Sequence, residues 1–256
     1  MSAAYEFSHA IVRAPAATVA DGLRAVDRGD PDIGLFRKEH AAYCDALSAA
    51  GVEVIRLPAL DAFPDSVFLE DPAFVLPEAA ILLRPGAESR AGEGEHLAGS
   101  LAGLRPLARL DDGQIDGGDI LVTGRELVVG LSERTERRGV AALERIGQWG
   151  YSVRGVSLPS GLLHLKTGCS LLAAGTVLAT RELIASGLFD GSETVAVPDG
   201  EAAAANAIRV NAHVLLAEGY PRTEGLLARL GFDVMAVPVG QAALLDGGLS
   251  CMSLRF

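Results

Sequence analysis

Cys251 precedes a short apolar run at the C-terminal end of this chain and follows the turn residues Asp246-Gly247-Gly248. Four earlier stretches repeat that pattern. Where the last one carries its thiol, they carry Glu70-Asp71, Asp116, His164 and Asn206. The positions recur about every 45 residues, the mark of a repeated structural unit. Together they supply a thiol, an imidazole and several carboxylates, hence a nucleophile, a proton carrier and groups to orient them. The surplus of carboxylates bears on the substrate. A peptide or ester carbonyl develops negative charge that nearby anions would oppose. A cationic electrophile gains from them, and a guanidinium presents a planar fork of N–H donors that matches carboxylates. Its carbon is a weak electrophile because the charge is delocalised, which suits a soft thiolate better than a hydroxyl.

Each of these residues also has an ordinary explanation. A cysteine in a short strand can be a packing residue, and Asp116-Gly117-Gly118-Asp119 can be only a turn. His164 can be a satisfied core histidine, and Glu70-Asp71 can cap the turn that follows. The functional reading rests on all of them standing at matching repeat positions, where polar groups leading into apolar strands are costly unless they satisfy one another. His40 and His96 fall on expected helices and His213 in a hairpin turn. His9 alone competes with His164, because its strand is expected beside Cys251.

The elements that must carry these residues follow from periodicity. Ser8–Pro15 reads as a strand and Ala16–Gly34 as a loop. Arg37–Ala50 has apolar residues at helical spacing, and Gly51–Pro58 is β-branched and strand-like. Further strands are expected at Gly103–Leu110, Gly150–Pro159, Glu193–Pro198 and Gly231–Pro238. Helices are expected over Glu93–Leu101, Gly139–Trp149, Arg181–Phe189 and Pro221–Leu230, the last with proline in its first turn. Hairpin-like pairs of apolar runs cover 71–85, 118–130, 169–180 and 207–219. A fifth, half-present pair at the C-terminus can be completed by the strand Ser8–Pro15, which closes a ring and leaves fewer open sheet edges. The expected fold is therefore a five-bladed α/β propeller forming a single catalytic domain over residues 1–256, with an open α/β sandwich as the alternative.

A net charge of −11 argues against nucleic acid, whose phosphates need a basic surface. No apolar run approaches the length of a membrane span, and Glu6, His9 and Arg13 interrupt any signal-like segment. A cytoplasmic protein is expected. Cys44, Cys169 and Cys251 show no zinc or disulfide spacing, so a functional cysteine would act as a lone thiol.

The blocks FPDSVFLEDP, RPGAESR, DGGDILVTGRELVVGLSERT, LHLKTG, AANAI and DGGLSCMSLRF resemble the dimethylarginine dimethylaminohydrolases of the guanidino-group-modifying (pentein) superfamily. The resemblance runs from about Ser8 to Phe256 and implies the five-bladed α/β propeller independently. It also implies hydrolysis of Nω-methylated L-arginines to L-citrulline and dimethylamine or methylamine through a covalent cysteine intermediate, without metal or organic cofactor. By the same resemblance Cys251 is the nucleophile, His164 the general acid/base and Asp116 the carboxylate that orients it. Asp71 holds the guanidinium with Glu70 beside it. Asp65 meets the substrate α-amino group, helped by the backbone at Val19 and Leu245, and Arg90 and Arg134 clamp its α-carboxylate. Val19 falls in a loop that matches the family's mobile lid. The partner expected is a small cationic molecule, not nucleic acid or a membrane, and the protein is expected as a monomer or homodimer. A compact arginine deiminase and a non-catalytic pentein binding module are the rival functions. Agmatine deiminase fits less well, because agmatine lacks the carboxylate that two arginines would clamp.

Overall fold

The computed structural model describes residues 4–124, 126–147 and 149–256. Arg125, inside the expected hairpin 118–130, and Gln148, inside the expected helix Gly139–Trp149, lie outside that set. Among the described residues, fifteen strands form five sheets of three strands each. They are β15-β1-β2 (Ser253–Arg255, His9–Arg13, Glu53–Leu57), β3-β4-β5 (Ala73–Val75, Ala80–Leu82, Leu107–Arg109) and β6-β7-β8 (Ile120–Thr123, Glu126–Leu131, Ser152–Ser157). The others are β9-β10-β11 (Cys169–Ala173, Thr176–Ala179, Glu193–Ala196) and β12-β13-β14 (Ile208–Val210, His213–Ala217, Asp233–Val237).

Every sheet is built the same way. An antiparallel pair is followed by a helical crossover to a third strand that lies parallel to the second. Parallel neighbours cannot be joined by a tight turn, so each unit needs a crossover before its third strand. The helices α1 (Ile33–Ala49), α2 (Glu95–Ala102), α3 (Arg137–Ile146), α4 (Arg181–Ala185) and α5 (Pro221–Arg229) fill this place in the five units. The sheets repeat around an axis, making a five-bladed α/β propeller. Closure is achieved by β1, whose Ala10, Ile11 and Val12 pair antiparallel with Arg255, Leu254 and Ser253.

Apolar packing holds the blades together. Phe36, Tyr43, Cys44 and Leu47 of α1 are fully or nearly fully buried, in one cluster with Val12, Val210, Leu215 and Met252. Leu97 and Leu101 of α2 share another cluster with Ile11, Leu82 and Leu254, which brings both chain ends into one core. Burying each such leucine contributes about 1.5–3 kcal/mol.

Several helix limits differ from the sequence expectation by a few residues, two of them for clear local reasons. The first helix begins at Ile33 instead of Arg37, because the Asp32 side chain accepts from Leu35 N at 2.7 Å and caps it. The helix expected to reach Phe189 stops at Ala185, and Gly187 then takes φ +73°, a left-handed turn that a side chain would strain. No described helix is long and apolar enough to cross a membrane.

The architecture matters here because of how the innermost strands begin. Four of them, β6, β9, β12 and β15, are each led into by a short 3-10 turn: Gly117–Asp119, Leu165–Thr167, Ala202–Ala205 and Ser250–Met252. Asp116 and His164 are the residues just before their turns, Asn206 follows its turn, and Cys251 sits within the last. The sequence repeat therefore becomes a spatial cluster at one end of the axis.

Candidate active site

One pocket is lined by Asp65, Phe68, Asp71, Arg90, Asp116, Arg134, Leu163, His164, Leu245 and Cys251, with Leu23, Asp246 and Gly247 completing its wall. Cys251 is partly buried, and its Sγ accepts from Gly248 N at 3.4 Å. Burial, with Glu70 and Asp71 nearby, pushes the thiol up to about 12, so it is protonated in the resting state.

His164 is buried, and its Nε2 lies 3.0 Å from Oδ2 of Asp116. Nδ1 has no hydrogen-bond partner among the described residues. Burial alone would lower the imidazole, but Asp71, the bond to Asp116 and the nearby Asp119 outweigh it and raise it to about 9. Asp116 is fixed in turn: its Oδ1 accepts from Gly86 N at 2.8 Å, and its own N–H donates to Thr135 Oγ1 at 3.1 Å.

The glycines of Asp116-Gly117-Gly118-Asp119 are there for space. A Cβ on Gly117 would come within 2.0 Å of the Glu70 carbonyl oxygen, and one on Gly118 within 2.7 Å of His164 Nδ1. Only bare backbone lets the three turns approach this closely, and Gly118 N then donates to Asp71 Oδ1 at 3.2 Å.

Arg90 lines the pocket, but its fork is largely occupied. Nη1 donates to Asp71 Oδ2 at 2.5 Å, and Nε and Nη2 donate to Glu93 at 2.8 and 2.9 Å. Nη2 also donates to the Phe68 carbonyl at 2.8 Å. Burial would lower this guanidinium, but Glu93 and Asp71 raise it instead. Arg90 is thus a buried counter-ion first, with one N–H of Nη1 left over on the pocket side. Arg134 lines the same pocket and has no ion-pair partner among the described residues. Asp65 is raised by burial, against the pull of Arg90, and its Oδ1 accepts from Leu23 N at 3.0 Å.

Two expected substrate contacts fall elsewhere. Glu70 is buried behind the pocket, with Oε1 2.5 Å from Lys166 Nζ and 3.5 Å from Arg255 Nη2, while Oε2 accepts from the Ser250 hydroxyl at 2.8 Å. It lines a second, larger cavity that also reaches Lys166, Arg255 and Ser250. Its carboxylate is consumed in joining three neighbouring turns, and it stands beneath the reacting end instead of beside Asp71. Val19 is 1% exposed and packed in the α1 core cluster. Its carbonyl accepts from Gly22 N at 3.1 Å, and it does not line the pocket, whereas Leu23, four residues on, does. His9 stacks on Phe256 at 5.6 Å and lies 3.6 Å from Glu53, outside the pocket.

Sequence reasoning missed Leu23, Phe68, Leu163 and Asp246 on the pocket wall, and Glu93 and Lys166 as counter-ions. Lys166 left a signal, since the chain has only two lysines and this one stands two residues after His164. Asp246 takes φ +55°, which aspartate tolerates, and its Oδ2 accepts from Ala25 N at 2.5 Å. Together with Asp65 it fastens the 16–32 segment over the pocket.

Asp71, Asp116 and His164 offer ligand atoms within 4.8 Å of one another. Each of the three already has a partner in the protein, Asp71 an arginine, Arg90, and His164 and Asp116 each other.

A five-bladed α/β propeller with a thiol, an imidazole and carboxylates at one end of its axis is a pentein, the class that modifies guanidino groups. A family model described as arginine deiminase matches residues 104–214. The N(G),N(G)-dimethylarginine dimethylaminohydrolase of Pseudomonas aeruginosa is 39% identical over 98% of this chain and 100% of its own length. The enzyme of the same name from Streptomyces coelicolor is 36% identical over 96% of each chain. A solved structure of the P. aeruginosa protein, a cysteine-to-serine mutant complexed with citrulline, superposes with a TM-score of 0.93, covering 98% of this chain and 100% of that one. The chain belongs to the dimethylarginine dimethylaminohydrolase family.

Proposed function

We propose that this chain hydrolyses asymmetric dimethylarginine and monomethylarginine to L-citrulline and dimethylamine or methylamine, as one catalytic unit over residues 1–256 and as a cytoplasmic enzyme. The observation that carries the reading is the pocket itself. A thiol kept neutral by burial and by anions shares the pocket with a protonated imidazole and with carboxylates, and Arg134 lines the same wall. The relatives bearing this activity in their name match nearly the full chain.

Cys251 is the proposed nucleophile. At neutral pH its thiol is protonated, and the guanidinium of the substrate brings the positive charge that favours the thiolate, so the thiol gives its proton to solvent as the substrate binds and recovers one when citrulline leaves. Asp71 receives the guanidinium: its two oxygens each hold one protein N–H and keep a second lone pair. Asp65, whose Oδ2 has no protein donor among the described residues, and the backbone at Leu245 receive the α-amino group. Arg134 receives the α-carboxylate. Attack forms the S–C bond. His164, held at Nε2 by Asp116, gives the Nδ1 proton to the departing amine as the C–N bond breaks. Water then adds to the S-alkylthiouronium carbon, His164 takes its proton, the S–C bond breaks, and citrulline leaves. The 16–32 segment, fastened by Asp65 and Asp246, excludes bulk water during the first half-reaction.

The match to an arginine deiminase family model supports a second reading, in which arginine loses ammonia by the same chemistry. One experiment separates the two. Purified protein is incubated with asymmetric dimethylarginine, monomethylarginine and arginine, and citrulline, methylamines and ammonia are measured. Release of dimethylamine in step with citrulline supports the proposal. Citrulline and ammonia from arginine alone would make the chain a deiminase.

A further inference from the structure

Asp119 closes the Asp116-Gly117-Gly118-Asp119 motif, and the steps above make no use of it. It is completely buried, an expensive place for a carboxylate unless its oxygens are satisfied. They are, and the donors come from two different segments. Oδ1 accepts from Leu165 N at 2.8 Å, the residue directly after His164. Oδ2 accepts from the Ser132 hydroxyl at 2.6 Å, and that hydroxyl oxygen accepts from Arg134 N at 3.0 Å. The Thr135 side chain also bonds Asp119, and its Oγ1 holds the N–H of Asp116. One side chain thus reaches the His164 turn, the Arg134 loop and the support of Asp116.

Space around it is closed. A Cβ on Gly130 would lie 2.9 Å from Asp119 Oδ1, so only bare backbone at 130 leaves room for the carboxylate where it stands. The groups facing His164 are Asp71, Asp116 and Asp119, with Cys251 and Arg134 on the same pocket wall and Arg90 behind Asp71. Lys166 belongs to the same turn but is turned away to Glu70.

Resting on the roles given above for His164 and Arg134, we propose that Asp119 is a positioning residue that locks the turn carrying the proton donor and the loop carrying the α-carboxylate anchor into one unit. A guanidino acid spans both groups when bound. A fixed separation between them would hold the reacting carbon at one distance from the sulfur, and small displacements there cost rate steeply. Asp119 also adds a buried negative charge beside His164, which favours the imidazolium.

The test uses Asp119→Asn, which keeps the shape and removes the charge, and Ser132→Ala, which cuts only the link to Arg134. The His164 titration is followed by NMR in the resting protein, with its signal assigned by loss in His164→Asn. KM for dimethylarginine is compared with the competitive Ki of agmatine, which has no carboxylate. In Asp119→Asn the His164 midpoint should fall by at least about half a pH unit, and KM should rise roughly ten-fold with Ki little changed. In Ser132→Ala the midpoint should stay, while KM rises about three- to ten-fold.

A folded Asp119→Asn protein with lower stability but an unmoved midpoint and an unmoved ratio of KM to Ki would overturn the proposal. If that variant does not fold, an unchanged KM in Ser132→Ala overturns it alone. Wild-type turnover is the control. Failure of the wild type to release amine sinks the proposed function, while the His164 titration still answers for Asp119.

Discussion

Arg90 and Asp71 form a buried ion pair, with Nη1 2.5 Å from Oδ2 and both side chains at least nine-tenths covered. Removing one partner of such a pair leaves the other charged and unsatisfied, at a cost of about 3–5 kcal/mol. Arg90→Ala should therefore lose stability by that order in urea denaturation, and lose activity toward every guanidine, including those without a carboxylate. Arg134→Ala should fold normally and raise KM for methylarginines roughly ten- to a hundred-fold, leaving agmatine binding unchanged. If both variants behave as simple binding mutants, the counter-ion role of Arg90 is wrong.

Cys251→Ser should abolish turnover in a folded protein, because a hydroxyl is a far weaker nucleophile at neutral pH. Cys44 is buried in the α1 core, and Cys169 is buried with its thiol 3.3 Å from the Leu165 carbonyl. Replacing either by Ala should cost stability while leaving the chemistry in place. Thermal melts beside single-turnover rates check this. Loss of chemistry in a folded Cys44→Ala or Cys169→Ala protein would move the nucleophile elsewhere.

The raised imidazole has a consequence for stability. His164 goes from an ordinary value of 6.5 to about 9 on folding. The folded state therefore binds its proton more tightly, and the stabilisation is complete below about pH 6.5. It is lost as pH rises through 9. Cys251, raised to about 12, acts in the same direction, because unfolding releases its proton above the ordinary thiol value. Urea midpoints should fall between pH 6.5 and pH 10, by an amount on the order of 3 kcal/mol for His164. The His164→Asn variant should flatten that fall. A wild-type profile level across this range would contradict the buried imidazolium.

Methyl groups should decide the choice of substrate. Arginine carries the same charge, so Asp71 does not reject it. Its additional N–H donors meet a pocket wall that includes Phe68, Leu163 and Leu245, and each unpaired donor costs about 1–3 kcal/mol. The kcat/KM for asymmetric dimethylarginine should exceed that for arginine by about a hundred-fold or more. Symmetric dimethylarginine should be poor, since it puts a methyl on the nitrogen facing Asp71. Competition between arginine, monomethylarginine and the two dimethylarginines decides it, and arginine as the best substrate would favour the deiminase reading.

The sequence by itself determined the blades and the set of reactive groups. Strand, helix and hairpin follow from short-range periodicity, and the repeat puts Asp116, His164 and Cys251 at equivalent places whatever the detailed packing. The closing pair of β1 with β15 was legible too, because a lone half-hairpin at one end and a spare strand at the other have few other partners. What only the tertiary structure decided is which neighbour each charge takes. Glu70 and Asp71 are adjacent in the chain, yet one turns to Lys166 and Ser250 and the other to Arg90 and Gly118. Successive side chains in a tight turn point different ways, and pairing then depends on what the neighbouring blades bring within about 3 Å. The side chains of Val19 and Leu23 part in the same way, one into the core and one to the pocket. A loop's sequence does not tell which of its apolar residues the core claims and which is left to face the pocket.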